Sequence, residues 1–148
     1  MRLLIVAAAL SISAAATPAI ANEARIEARG GIAWANGSST ETIGVALGYD
    51  APVGENTFVG VEAVLDTDFD ISDPALGANL RFGFNMSPES KLFATLGYAH
   101  DTGFDQDDAV IGAGYQHNVG ARSLVSIQYQ RYLDSDINRA TIGFGYRF

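Results

Sequence analysis

A chain of 148 residues with 18% charged side chains has the length of one domain and is too apolar for a disordered polymer. Its 17 Asp and Glu against 9 Lys and Arg, a formal net charge of -8, argue against a nucleic-acid partner. Cys is 0, which excludes disulfides, thiolate nucleophiles and cysteine-held metals.

The opening segment, MRLLIVAAALSISAAATPAIA, has Arg2 as a basic start, an apolar run from Leu3 to Leu10, and Ala19-Ile20-Ala21 as a small-x-small cleavage site. It reads as an export signal. An anchor helix fits less well, because the run is short and Ser11, Ser13, Thr17 and Pro18 interrupt it. Cleavage after Ala21 predicts a 1–21 signal peptide and a 22–148 mature domain.

Beyond Ala21, period two replaces any helical pattern. In ARIEARGGIAWA, Ile26, Ala28, Ile32 and Trp34 share one face, and Arg25, Glu27, Arg29 and Gly31 the other. After a connection at NGSSTE, TIGVALGYD sets Ile43, Val45, Leu47 and Tyr49 against Thr42, Gly44, Ala46, Gly48 and Asp50. TFVGVEAVLD sets Val59, Val61, Ala63 and Leu65 against Gly60, Glu62, Val64 and Asp66, with Val64 breaking the polarity. In ALGANLRFGFNM, Leu76, Ala78, Leu80, Phe82, Phe84 and Met86 oppose Gly77, Asn79, Arg81, Gly83 and Asn85. LFATLGYA, AVIGAGYQ, SLVSIQYQRYL and TIGFGYRF complete eight strands, the last with Ile142, Phe144, Tyr146 and Phe148 on its apolar face.

Eight strands without a helix leave a soluble barrel or sandwich, or a membrane barrel. The less apolar face is mostly Gly, Ala, Ser, Asn and Gln, residues suited to a narrow crowded lumen rather than a solvated surface. The apolar face is therefore expected outside, in lipid, where only a closed barrel satisfies every strand's backbone. The fold class predicted is all-β, an eight-stranded antiparallel up-and-down transmembrane barrel. Both termini then lie at one end. The odd connections, around Ser38, Asp70, Asp105 and Asp136, are acidic and expected to be mostly longer, and the even ones short. Outward aromatics form two interface girdles: Trp34, Tyr98 and Tyr129 towards the loops, and Tyr49, Phe84, Tyr115, Tyr146 and Phe148 towards the turns.

With these strands in place, the chain resembles the small eight-stranded outer-membrane barrels of Gram-negative bacteria, the opacity and OmpA/OmpX-type families often labelled porin-family proteins. The most specific part of the resemblance is the last strand. In these families it follows polar-x-Gly-x-x-apolar-x-aromatic and is read by the barrel assembly machinery; Thr141, Gly143, Tyr146 and Phe148 stand in those slots. The resemblance implies an outer-membrane location, a membrane-insertion signal at these four residues, and lipid and lipopolysaccharide as surroundings. No peptidoglycan-binding domain is expected after the last strand, so cell-wall tethering is not implied, and the loops are short for a dedicated adhesin.

The lumen-facing charges, Arg25, Glu27, Arg29, Glu62, Asp66, Arg81 and Arg147, are the first candidate site. Glu27 and Glu62 are expected to pair with Arg29, Arg81 and Arg147 as a plug in place of an apolar core. Asp66, Asp68, Asp70 and Asp73 are weak metal candidates, because DTDFDISD lacks the glycine and the bidentate Glu of a calcium loop. Arg131 and Arg139 are expected at the rim, facing lipopolysaccharide phosphates. Catalysis needs a nucleophile, base and orienting group on one rim. His100 stands next to Asp101 with no serine clearly beside it, and His117 sits at a turn without an evident acid, so no enzyme is expected. No cofactor, no metal and a monomer complete the expectation: a structural or surface-interacting barrel, with a narrow pore for small solutes as the alternative.

Overall fold

A computed structural model describes residues 22–69 and 73–148. The predicted signal peptide lies outside the described residues. The chain forms eight antiparallel strands: β1 (Glu23–Ala35), β2 (Ser38–Pro52), β3 (Thr57–Asp68), β4 (Ala75–Ser87), β5 (Ser90–Asp101), β6 (Gln106–Val119), β7 (Ser123–Tyr132) and β8 (Ile137–Arg147). Each pairs with its neighbour, and β1 pairs with β8, so the sheet closes on itself. Closure gives every strand two hydrogen-bonding neighbours and removes the edges on which an open sheet would aggregate.

The period-two faces settle as expected. Large apolar side chains such as Leu47, Leu80, Phe82, Leu96, Ile127 and Ile142 stand exposed on the outer wall. The largest fully buried side chains are Arg25, Arg81, Leu124, Gln116, Val110 and Asp50, all in the lumen. A soluble protein inverts that distribution; a barrel solvated by hydrocarbon requires it. Val64, the break in the β3 pattern, is an apolar lumen residue, in the company of Phe58, Phe93 and Leu124.

The strands run further than the hydropathy alternation, because backbone pairing continues above the lipid where apolar side chains are no longer needed. The first connection is the largest correction. Rather than a loop through NGSSTE, only Asn36 and Gly37 separate β1 from β2, and Ser38 is already in the ladder opposite Ala35. Both turn residues have positive φ, 50° and 82°, which matches the primed hairpin turns whose twist suits flanking strands. The other odd connections, 69–74, 102–105 and 133–136, have six, four and four residues against four, two and three for the even ones, so they are mostly longer by a small margin.

Candidate functional site

The lumen is filled by a network of ion pairs built on Arg25. From β1 its guanidinium donates to Glu27 on the same strand (2.7 Å), to Asp50 on β2 (3.2 Å) and to Glu62 on β3 (2.5 Å). The Arg25 side chain is 0% exposed. Gly48 makes room for it, since a Cβ there would collide with the guanidinium. Glu62 also accepts from Arg29 (3.4 Å) and Asn79 (3.2 Å), and Glu27 accepts from Ser126 of β7 (2.6 Å).

Arg81 stands nearer the turn end. Its guanidinium lies over the Phe93 ring at 3.9 Å and donates to Gln116 (3.2 Å), with Asp50 at 3.6 Å and Glu62 at 3.9 Å. Lys91 bridges Asp50 (3.3 Å) and Glu23 (3.0 Å), and Arg147 reaches Glu23 (3.0 Å). Nearer the loops, Arg139 of β8 crosses the lumen to Asp66 of β3 (2.6 Å), which Arg29 also approaches (3.6 Å). Five buried cations, Arg25, Arg29, Arg81, Lys91 and Arg139, thus meet five of the six buried acids, Glu23, Glu27, Asp50, Glu62 and Asp66, the sixth being Asp108. A charge taken out of water is tolerable only when paired and hydrogen-bonded, and this mutual arrangement supplies both.

The expected network is rearranged rather than reproduced. Glu62 meets Arg29 and Arg81, but Glu27 pairs with Arg25, and Arg147 pairs with Glu23 at the turn end. Asp50, on the less apolar face of its strand, and Glu23, Lys91 and Gln116 near strand ends also join the network, although none is among the charged candidates. Arg139 is a correction: it is buried inside the barrel on Asp66 and Tyr132, not at the rim. Period two over β8 carries the signal, since Arg139 shares the parity of Thr141, Gly143 and Arg147. Arg131 does stand exposed at the rim, paired with Asp136 (2.6 Å).

The acidic stretch at the end of β3 and beyond it is divided in the same way. Asp66 faces the lumen, Asp68 is exposed, Asp73 lies beside Gly103 of the next acidic loop, and Asp70 lies outside the described residues. Among the described residues no group of three or more His, Cys, Asp or Glu is placed to hold a metal ion. Asp108 is also turned inward, where it accepts from Asp134 N (2.8 Å) and Ser135 N (3.1 Å) and bonds the Ser135 hydroxyl, bracing the last loop. The histidines have partners that the sequence did not predict. His100 bonds Asp107 at the loop end (2.7 Å), and His117 bonds Ser90 (3.0 Å), which also contacts the Tyr115 hydroxyl (2.8 Å).

The predicted girdle residues lie at the two ends of the wall. Trp34 and Tyr129 approach to 6.2 Å between centroids, and Tyr129 donates to Asn138 (2.6 Å) on the strand between them. Tyr98 stands exposed at the same end, and Phe84 at the other. Tyr49 and Tyr115 are half-buried on the outer wall near the turns. Of the four residues predicted as an insertion signal, Thr141 and Gly143 face the lumen, where Gly143 abuts Ser126 and Glu27. Tyr146 and Phe148 face outward and meet edge to face at 5.2 Å, with Arg122 donating to the Tyr146 hydroxyl (2.6 Å).

No protein-family model matches the chain, and no curated protein matches it by sequence. Solved structures do. Designed transmembrane β-barrels superpose with a TM-score of 0.64 at 17% identity, covering 89% of this chain and 100% of theirs. Ail, the attachment invasion locus protein of Yersinia pestis, solved with the heparin analogue sucrose octasulfate, gives 0.59 at 18% identity, covering 87% and 100%. The N-terminal barrel domain of Pseudomonas aeruginosa OprF gives 0.61 at 16% identity, covering 86% and 98%. At these identities the likeness is one of fold. The polar, paired lumen, the apolar outer wall and the closed eight-strand ladder make the chain, by fold, a small eight-stranded barrel of the outer-membrane type, resembling Ail and the OprF N-terminal barrel.

Proposed function

We propose that the protein is a closed, non-enzymatic barrel of a Gram-negative outer membrane, exported by its N-terminal signal and serving envelope structure and surface contact. One observation carries the reading: Arg25, wholly buried, is bonded to Glu27, Asp50 and Glu62 inside the lumen. A small eight-stranded barrel has an interior just wide enough for side chains, and this one is filled with mutually neutralising charge. Ions would have to break those pairs to pass. The apolar wall with its aromatic girdles supports a role in packing the outer leaflet and its lipopolysaccharide.

Surface contact would fall to the acidic loop end, where Phe69 and Phe104 stand exposed among Asp68 and Asp105. That charge disfavours a polyanion like the one Ail binds and leaves weak adhesion to other surfaces as the fitting role. Fold alone assigns no activity, so the reading rests on the lumen and the loops.

Conductance across a planar bilayer tests it. The refolded barrel, its insertion verified by heat-dependent gel mobility, should give no steady current. Steady cation-favouring openings would overturn the closed reading, establish the narrow-pore alternative and make Glu27 and Glu62 its filter.

A further inference from the structure

Buried lumen atoms without a hydrogen-bond partner occur towards both ends, Arg81 Nε, Arg81 Nη1 and Arg147 Nε on the turn side among them, but unpartnered acceptors gather on the loop side. On the turn side Gln116 is saturated: its Oε1 accepts from Arg81, and its Nε2 donates to Glu23 (2.8 Å) and Asn118 (3.2 Å). On the loop side Asp66 Oδ1, Gln130 Oε1, Arg29 Nε, Arg139 Nε and Thr42 Oγ1 are buried without a hydrogen-bond partner from the protein. Asp66 and Gln130, 5% and 3% exposed, also line a partly open cavity of about 10 Å³, walled in part by Asn79, Ala99, Val110 and Tyr132. That is room for about one water.

We infer that the loop-side lumen holds a built water site, in which one water donates its two protons to Asp66 and Gln130. The mixture of groups selects the ligand. A cation there would sit beside the Arg29 and Arg139 guanidiniums, and an anion beside the Asp66 carboxylate. A neutral water, which both donates and accepts, serves the two unpartnered acceptors without that conflict, and a volume of about 10 Å³ suits one water. Leaving several buried donors and acceptors dry is what native structures avoid. Combined with the closed-barrel reading, on which this part rests, the water stands above the layer of Arg25, Arg81 and Lys91, which keeps the barrier to solutes.

Water-edited solid-state NMR of the isotopically labelled, refolded barrel in lipid tests the site, with Gln116 as the internal reference. Magnetisation from water should reach the Gln130 side-chain amide several-fold faster than that of Gln116. Equal or slower transfer to Gln130 would overturn the water site. A conducting barrel would instead wet Gln116 as rapidly as Gln130, so failure of the closed reading is told apart by Gln116. Ala99→Leu, which fills the cavity, should bring Gln130 down to the Gln116 rate; undiminished transfer in the folded variant would refute the cavity as the water's seat.

Discussion

Replacing Arg25 by methionine removes the one cation that three buried carboxylates share. The lost contacts are those to Glu27, Asp50 and Glu62, at 2.7, 3.2 and 2.5 Å. Asp50 keeps Lys91 and Glu62 keeps Arg29, whereas Glu27 is left with the Ser126 hydroxyl alone. Removing one partner from a buried ion pair costs about 3–5 kcal/mol, since the remaining charge stays desolvated. With a urea slope of about 2 kcal/mol per M, the unfolding midpoint in lipid vesicles should fall on the order of 2 M. Arg25→Met combined with Glu27→Met removes the stranded charge and should recover more than half of the loss. A single variant within about 0.5 kcal/mol of the parent would refute the hub, as would a double variant no better than the single.

Leu96, 53% exposed in mid-strand between Leu80 and Ile111, should meet hydrocarbon. Leu96→Arg should therefore cost about 2–4 kcal/mol in the same unfolding assay, and a cost near zero would contradict a lipid-facing wall. Phe148→Ala removes the outward ring that meets Tyr146; it should reduce the heat-shiftable folded barrel recovered from cell envelopes while leaving refolding in detergent nearly unchanged. Equal recovery from cells would refute its role as an insertion signal.

The architecture was legible because lipid reverses the usual polarity and the alternation is written on every strand. Its limits follow from what alternation omits. Ser38–Glu41 is polar and reads as loop, but above the lipid a strand needs backbone pairing and not apolar side chains, so β2 begins directly after Gly37. The plug's members on β1, β3 and β4 could be read from their inward parity. Their pairing could not, because it depends on which side chains the closed barrel sets opposite each other across the lumen. Asp50 and Lys91 lie near turns that look like any solvated connection, and the Arg139 assignment failed where nearness to an acidic loop outweighed the parity of its strand.

The bonds that cross the lumen also bear on the order of assembly. Ser126 and Arg139 arrive late in the chain, yet they hold Glu27 on β1 and Asp66 on β3, at 2.6 Å each, while Arg147 holds Glu23. A sheet built only as far as β6 would carry acids into the membrane without those counterparts. Partial insertion is thereby penalised until the final two strands are present, which favours a chain that enters lipid as a nearly complete cylinder over one that threads in hairpin by hairpin.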